Sequence, residues 1–226
     1  MTESNPNRAP ADHRRPHRLI LIGMVLLILV GIGAYALFER EDEDLIVKVP
    51  QELNEQLEVY GTVPTDVEFI ERSGETLQLG DLRGEAWVAS FIFTRCRGTC
   101  PIMTASLQKI QGRLDEVEMP IRLVSITVDP ENDDPEVLSG YARSYNARDS
   151  WLFLTAPDSV VQSLALDVFN LAIAEGTDPD EPIIHSSRFV LVDAEGRIRG
   201  YFEGTTEEGV EQLMKGIRRL EDERGT

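Results

Sequence analysis

The chain has 226 residues and a hydrophobic content of 42%, which permits a packed core and excludes wholesale disorder. Its formal net charge of −18 repels nucleic acid phosphates and excludes DNA or RNA as a partner. Solubility or a salty habitat is a simpler interpretation of this acidity than a docking patch. Only two cysteines occur, four residues apart, which excludes a multi-disulfide scaffold.

The first element in chain order is a run of 20 uncharged residues at 19–38, LILIGMVLLILVGIGAYALF. Its length predicts a transmembrane helix. Arginines precede it in HRRPHR and acids follow it in EREDED, so we expect the N-terminus in the cytoplasm and the domain on the periplasmic, extracytoplasmic side of the inner membrane. A cleaved signal peptide is the rival interpretation, but the apolar run is too long for one and ends in a poor cleavage site.

The remaining chain alternates β and α patterns, which predicts an α/β fold with parallel strands and a terminal antiparallel pair. We expect a cytoplasmic tail at 1–18, the anchor at 19–38, a linker at 39–61 and one domain at 62–226. The predicted elements are a hairpin at 66–79, a buried strand at 87–93, a helix at 102–117, a strand at 121–128, a helix at 135–145, a strand at 151–155, a helix at 158–172 capped by Asp158, a loop at 174–183, a hairpin at 188–203 and a helix at 206–220.

The two cysteines occupy the junction between the first buried strand and the helix after it. Cys96 falls in the loop, and Cys100 falls at the helix start, where Pro101 fits the first helical position. We expect the helix N-terminus to stabilise the Cys100 thiolate. Two sulfurs at this spacing can converge on one ion or on each other, so a structural disulfide, a redox pair and a metal site all remain open.

His185 is the third candidate, because it is the only histidine after the anchor and precedes the strand predicted at 188–193. In a thioredoxin-like order of elements, that position packs opposite the cysteine loop. Two thiolates and an imidazole suit Cu(I) and also admit Cu(II). Zinc accepts the same ligands.

Other polar or sulfur-bearing residues near the motif have simpler interpretations. Asp129 favours a turn or cap before Pro130 over a place in the site. Met103 favours core packing over ligation. Arg95 and Arg97 lower the cysteine pKa values or are solvated, and Asp193 indicates a turn.

Three segments together resemble the Sco/SenC family: FIFTRCRGTCPIM, SITVDPENDDPEVLSGYA and HSSRFVLVDAEGRIRGYFEG, within about residues 62–220. The resemblance implies a thioredoxin-like mixed sheet flanked by helices, and copper, as Cu(I) or Cu(II), bound by Cys96, Cys100 and His185. It also implies a role in assembling the binuclear copper centre of cytochrome c oxidase. The expected partners are the copper-binding subunit of that oxidase and other exported thiol-redox or copper proteins. The chain departs from many members by having Arg97 and no acid between the cysteines.

The leading hypothesis is a copper chaperone without enzymatic turnover. The alternatives are a thiol-disulfide oxidoreductase or a redox or copper sensor that uses the Cys96–Cys100 pair. An oxidoreductase would need both cysteines but not His185, whereas a chaperone would need all three.

Overall fold

An eight-stranded mixed sheet forms the centre of the part of the chain that the structure, a computed structural model, describes: Met24, residues 57–178 and residues 181–224. Residues 57–224 belong to a compact unit that begins at Asn54. Within the described residues, no helix is long and apolar enough to cross a membrane. The predicted anchor lies outside them except for Met24, which is helical; the predicted tail and most of the linker also lie outside.

The domain contains ten strands and four α-helices among the described residues. The strands are β1 (Gly61–Thr62), β2 (Glu68–Glu71), β3 (Thr76–Gln78), β4 (Ala86–Ile92), β5 (Ile121–Thr127), β6 (Trp151–Thr155), β7 (Ile173–Asp178), β8 (Glu181–His185), β9 (Arg188–Val192) and β10 (Arg197–Glu203). The helices are α1 (Thr99–Glu116), α2 (Pro135–Ser144), α3 (Asp158–Ser163), which continues as a π-helical turn over Leu164–Val168, and α4 (Glu207–Arg224). A 3-10 turn covers Leu79–Leu82.

Three parallel strands at the middle of the sheet determine where the functional loops meet. The spatial order is β1-β10-β9-β4-β5-β6-β2-β3. Every residue of β4 and β6 is buried, which explains why these strands appear in the sequence as continuous apolar runs. Strand β4 is parallel to β5, with Ile92 beside Thr127, so the loops that follow these two strands leave the sheet at the same edge.

The predicted elements agree with the structure over most of the domain. The hairpin at 66–79 forms with Gly74 in its turn at φ +89°, and Thr206 accepts a hydrogen bond from the Gly209 N–H at the start of α4. Helix α1 begins at Thr99, three residues before the predicted start, so Pro101 lies within the first turn. A proline is tolerated there because backbone N–H groups of a first turn have no intrahelical acceptor.

The helix predicted at 158–172 is shorter and irregular. It is α-helical only to Ser163 and becomes π-helical before Asn170, whose φ of +50° ends it. The prediction that Asp158 caps this helix is wrong, since Pro157 is the N-cap and Asp158 is the first helical residue.

The loop predicted at 174–183 is instead an antiparallel hairpin of β7 and β8, a separate two-stranded sheet. Ile173 pairs with His185 and Ala174 pairs with Ile184. The turn-forming residues GTDPDEP at the middle of the segment concealed the short strands on either side of it. The hairpin fixes the backbone of His185 at the end of β8.

Candidate metal and thiol site

The cysteine loop follows β4 and leads directly into α1. Cys96 lies in this loop, where its N–H donates to the Phe93 carbonyl at 3.3 Å. Cys100 is the second residue of α1 and is fully buried, and the Cys96 side chain is 8% exposed. Both cysteines are free thiols. Both cysteines are therefore buried in the domain, and Cys96 lies closer to the surface than Cys100.

Cys100 and His185 meet across 85 positions of sequence. The Cys100 Sγ lies 3.0 Å from the His185 Nε2, within hydrogen-bonding distance. The His185 Nδ1 lies 3.0 Å from the Ser186 carbonyl oxygen, which can only accept a hydrogen bond. This contact assigns the proton to Nδ1 and leaves the Nε2 lone pair directed at the Cys100 sulfur.

The imidazole ring is also held from its side by an aromatic contact. Phe93, the fully buried residue just after β4, packs edge-on against His185, with ring centroids 5.8 Å apart and an interplanar angle of 80°. The hairpin, the Ser186 carbonyl and Phe93 thus restrict His185 in both position and rotation.

The protonation state of Cys100 differs from the sequence-based expectation. Burial raises the pKa of the Cys100 thiol well above its ordinary value, and a hydrogen bond with the Cys96 side chain raises it further, although backbone hydrogen bonds act in the opposite direction. The prediction of a stabilised thiolate is wrong, because desolvation of the buried sulfur outweighs the helix dipole. The effect of Cys96 on this pKa indicates that the two cysteine side chains lie close to each other.

Helix α1 is also braced from within at its cysteine end. The buried Thr104 donates from its hydroxyl to the Cys100 carbonyl at 2.8 Å, and the same hydroxyl lies 2.8 Å from the hydroxyl of Tyr141 on α2. These contacts fix the first turn of α1, and with it Cys100, against the neighbouring helix.

Arg95 and Asp129 form an ion pair beside the cysteine loop. The Arg95 Nε donates to the Asp129 Oδ2 at 2.5 Å. Asp129 also accepts from Asn132 through its other oxygen, at 2.8 Å. Asp129 therefore has the turn role that the sequence favoured and an additional contact with the residue before Cys96. The pairing with Asp129 raises the pKa of Arg95 and keeps its guanidinium charged.

Asp133 is a site-supporting residue that the sequence reasoning missed. It is fully buried and accepts hydrogen bonds from the Thr94 N–H at 3.0 Å, the Thr94 hydroxyl at 2.5 Å and the Thr127 hydroxyl at 2.5 Å. Five acids occur within DPENDDPE, and nothing in their order says which one is buried. One signal was available in the sequence. If the strands predicted at 87–93 and 121–128 are parallel neighbours, the segment that follows the second strand, residues 129–136, must lie beside the cysteine loop that follows the first.

The remaining candidates are a methionine, an aspartate and an arginine. Met103 is fully buried core, as predicted. Asp193 forms the predicted turn by accepting from the backbone N–H groups of Glu195 and Arg197, and it also pairs with the buried Arg199 at 2.9 Å. Arg97 is exposed.

The donor set fits a soft metal ion chemically, although the ligands are not fully preassembled. Among the described residues, no three histidine, cysteine, aspartate or glutamate side chains already form a metal-holding cluster. The structure brings together the Cys96 and Cys100 side chains, and Cys100 with His185. Two sulfurs and one imidazole nitrogen with its far nitrogen hydrogen-bonded to a carbonyl are typical of a metal site with an ordered outer shell.

The sequence and the fold match known proteins over the whole described domain. Residues 60–221 match the family described as SCO1/SenC. The SCO1 protein homolog of Bacillus subtilis (strain 168) is 34% identical over 152 residues, which cover 66% of this chain and 78% of that protein.

Solved structures give the same result. BsSco, described as a member of the Sco family of cytochrome c oxidase assembly proteins with a disulfide switch, is 31% identical with a TM-score of 0.66, and the match covers 73% of this chain and 97% of that one. Yeast Sco1 with copper bound is 22% identical with a TM-score of 0.57 over 70% of this chain and 88% of that one, which shows a likeness of fold. Because the family match spans more than half of the sequence, this chain belongs to the SCO1/SenC family.

Proposed function

We propose that this protein binds one copper ion through Cys96, Cys100 and His185 and delivers it to the copper-binding subunit of cytochrome c oxidase. The observation that carries the proposal is the 3.0 Å approach of the Cys100 sulfur to the His185 Nε2, with the opposite ring nitrogen on the Ser186 carbonyl. A ring held in this tautomer directs a lone pair at the Cys100 sulfur.

The chemistry of the donors favours copper as the cargo. Thiolates are soft ligands that select Cu(I), and an imidazole nitrogen allows the same site to hold Cu(II). Because the pKa of the buried Cys100 thiol is raised, copper must displace a proton to bind there. The restrained histidine and the helix-borne Cys100 supply two fixed donors, and Cys96 in the loop supplies the third.

The oxidase is proposed as the client on the strength of the relatives. BsSco, which shares 31% identity and nearly all of its length with this domain, is described as a member of a family of cytochrome c oxidase assembly proteins. The same role in this chain would place its domain where the oxidase's copper-binding subunit is accessible, outside the cytoplasm.

We also propose that residues 19–38 anchor the protein in the inner membrane, with the tail at 1–18 inside, a linker at 39–61 and the copper-binding domain at 62–226 on the periplasmic side. The support is the uncharged run of 20 residues and the arginines before it. Protease added to spheroplasts should degrade the domain and leave a tag at residue 1 intact. Protection of the domain would refute this topology.

Copper binding is tested on the full-length chain in detergent, reduced and anaerobic, by Cu(I) competition with a chelator and by absorption of the Cu(II) form. We expect one copper per chain and a thiolate-to-copper charge-transfer band. His185→Ala should weaken copper binding by about 100-fold or more, because it removes a direct ligand and outer-shell changes alone cost 10–100-fold.

The matched control for this test is His17→Ala, which removes a histidine from the N-terminal tail. It should leave the affinity and the absorption band unchanged. Equal copper binding by His185→Ala and the unchanged protein would remove His185 from the site, and no copper binding by the unchanged protein would refute the proposal.

A second candidate function, thiol-disulfide exchange, is favoured by the two free cysteines, whose side chains lie close enough for Cys96 to raise the pKa of Cys100. The relative BsSco is described as having a disulfide switch. In this function Cys96 and Cys100 would both be required and His185 would not. Reduction of a disulfide-bonded client peptide that survives both copper chelation and His185→Ala would favour this second function.

A further inference from the structure

Two aspartates of one loop hold two consecutive residues of the cysteine loop. Asp133 accepts from both the backbone N–H and the hydroxyl of Thr94, and Asp129 accepts from the guanidinium of Arg95. The aspartates are joined to each other, since the Asp133 N–H donates to the Asp129 carbonyl at 3.0 Å. We refer to Asp129 and Asp133 as the aspartate pair.

The aspartate pair is itself fixed to the sheet. Asp133 accepts from the hydroxyl of Thr127, the last residue of β5, at 2.5 Å, and the Asp129 N–H donates to that same hydroxyl at 3.0 Å. Both aspartate side chains are buried, at 0% and 6% exposure. A buried, fully hydrogen-bonded network of this kind is rigid, because any movement would leave a polar group without a partner.

The three metal-binding candidates differ in how they are held. Cys100 belongs to a helix, and His185 is restrained by the β7–β8 hairpin, the Ser186 carbonyl and Phe93. Cys96 lies outside regular structure, and the residues just before it, Thr94 and Arg95, are those that the aspartate pair holds. The position of Cys96 therefore depends most on side chains from another loop.

We infer that Asp133, assisted by Asp129, is a positioning residue that sets the place of the Cys96 sulfur relative to Cys100 and His185. The copper part of this inference rests on the proposed function, whereas its thiol part does not. If Asp133 is removed, the Cys96 loop gains freedom, so Cys96 meets Cys100 less often and completes the ligand set less well.

The test compares Asp133→Asn with the unchanged full-length protein in detergent. The amide keeps the size of the side chain but replaces one acceptor oxygen with a donor, so at least one of the three incoming hydrogen bonds is lost or reversed. The first readout is equilibrium with glutathione, in which the protein dithiol and one glutathione disulfide give the protein disulfide and two glutathione molecules. We expect the equilibrium constant for protein disulfide formation to fall by about tenfold, which corresponds to about 30 mV.

The second readout is copper. We expect the Cu(I) affinity to fall by about tenfold, the lower end of outer-shell effects, and the thiolate-to-Cu(II) band to shift. The matched control is Asp193→Asn, which alters another buried aspartate with several hydrogen bonds. Asp193 directly follows β9, whereas His185 precedes that strand. The control substitution should leave both readouts unchanged even where it lowers the stability.

A second pair of variants keeps the inference testable if Asp133→Asn fails to fold. Thr94→Val removes the hydroxyl donor to Asp133 and retains the backbone donor, so it should shift both readouts in the same direction as Asp133→Asn. Thr94→Ser keeps the hydroxyl and should restore the unchanged values. The inference is overturned if Thr94→Val matches the unchanged protein, or if Asp193→Asn shifts the thiol equilibrium as far as Asp133→Asn does.

The two proposals can fail separately. If the unchanged protein binds no copper, the proposed function is wrong, and the glutathione equilibrium still tests the positioning role. If copper binds through Cys96, Cys100 and His185 but no Asp133 or Thr94 variant changes either readout, only the positioning role is wrong.

Discussion

The Asp133 carboxyl is fully buried beside the cysteine loop, and its effect on stability depends on pH. Burial raises its pKa above the ordinary value for an aspartate, although hydrogen bonds from Thr127 and Thr94 act in the opposite direction. A carboxyl whose folded pKa is raised contributes stability that is complete below its unfolded pKa of about 3.9 and is lost as the pH rises through the folded value. Ionisation of the buried Asp133 therefore lowers the stability of the fold.

Because folding raises the pKa of Asp133, the stability of the protein should depend on pH. The unfolding free energy of the unchanged protein should fall relative to that of Asp133→Asn as the pH rises from about 4 towards neutrality, because the amide does not titrate. Urea unfolding of both proteins at several pH values measures the difference. A difference that grows in favour of the unchanged protein with rising pH would show that the hydrogen bonds, and not burial, dominate the pKa.

The sequence was sufficient to propose the three main site residues but not to predict their supporting contacts. Cys96 and Cys100 form a local motif, and His185 is the only histidine after residue 17, so spacing and composition make these three the candidates. Burial of Asp133, the Arg95–Asp129 pair and the raised pKa of Cys100 depend on the packing of segments far apart in sequence. Desolvation of Cys100, in particular, is a sum over neighbours that no local pattern contains.

At the scale of elements, two glycines in long helices have opposite roles. Gly209 lies in the first turn of α4, where a Cβ would come within 2.0 Å of the Glu203 carbonyl oxygen, whereas a Cβ at Gly112 in α1 would meet nothing within 4 Å. The backbone of β10 thus approaches α4 at a place where only glycine fits.

We therefore expect Gly209→Ala to lower the unfolding free energy by about 1–3 kcal/mol, the usual range for overpacking. Gly112→Ala, its control, should raise it by about 0.5–1 kcal/mol, because alanine has the higher helix propensity. Chemical denaturation measures both. Equal effects of the two substitutions would mean that α4 shifts freely away from β10.

The elements that the sequence predicted best are those whose apolar pattern matches their burial. Strand β4 is buried throughout, and the run WVASFIF predicts it within a residue or two at either end. The β7–β8 hairpin was missed because its strands flank a turn rich in glycine, proline and acids, and this composition dominates the segment. Pairing between β7 and β8, and not the pattern of either strand alone, defines that hairpin.

At the scale of the whole molecule, the net charge of −18 lowers the stability of the folded state, because folding brings the acidic side chains closer together. Like charges repel more strongly in the compact state than in the unfolded chain, and salt screens this repulsion over a Debye length of about 10 Å at 0.1 M. We expect the Tm to rise as NaCl is increased from about 0.01 M to 0.5 M, as measured by circular dichroism. A Tm that falls with salt would show that local pairs such as Arg199–Asp193 outweigh the overall repulsion.

The chain enters the described domain at the end of the sheet opposite the thiols. Arg199 donates to the carbonyls of Leu57 and Glu58 and pairs with Asp193 and Glu223, and the Leu57 N–H donates to Glu223 near the end of α4. Gly84, just before β4, donates to Ala194 in the neighbouring turn, whereas Cys96 follows the other end of β4. The seven residues of β4 separate the two ends by about 23 Å.

The contacts of Leu57 and Glu58 place the start of the described domain far from the thiols, and this position affects how the proposed linker would work. Leu57 and the thiols lie at opposite ends of the domain. The distance that the thiols can reach from the proposed anchor therefore depends both on the length of residues 39–56 and on the length of the domain. Effective concentration at a membrane-bound client falls when a tether is too short to span the distance. If the proposed function holds, deleting about half of residues 39–56 should slow copper delivery in membranes and leave copper affinity in detergent unchanged. Such a result would mean that this segment controls how often the protein meets the proposed client and not how tightly it binds copper.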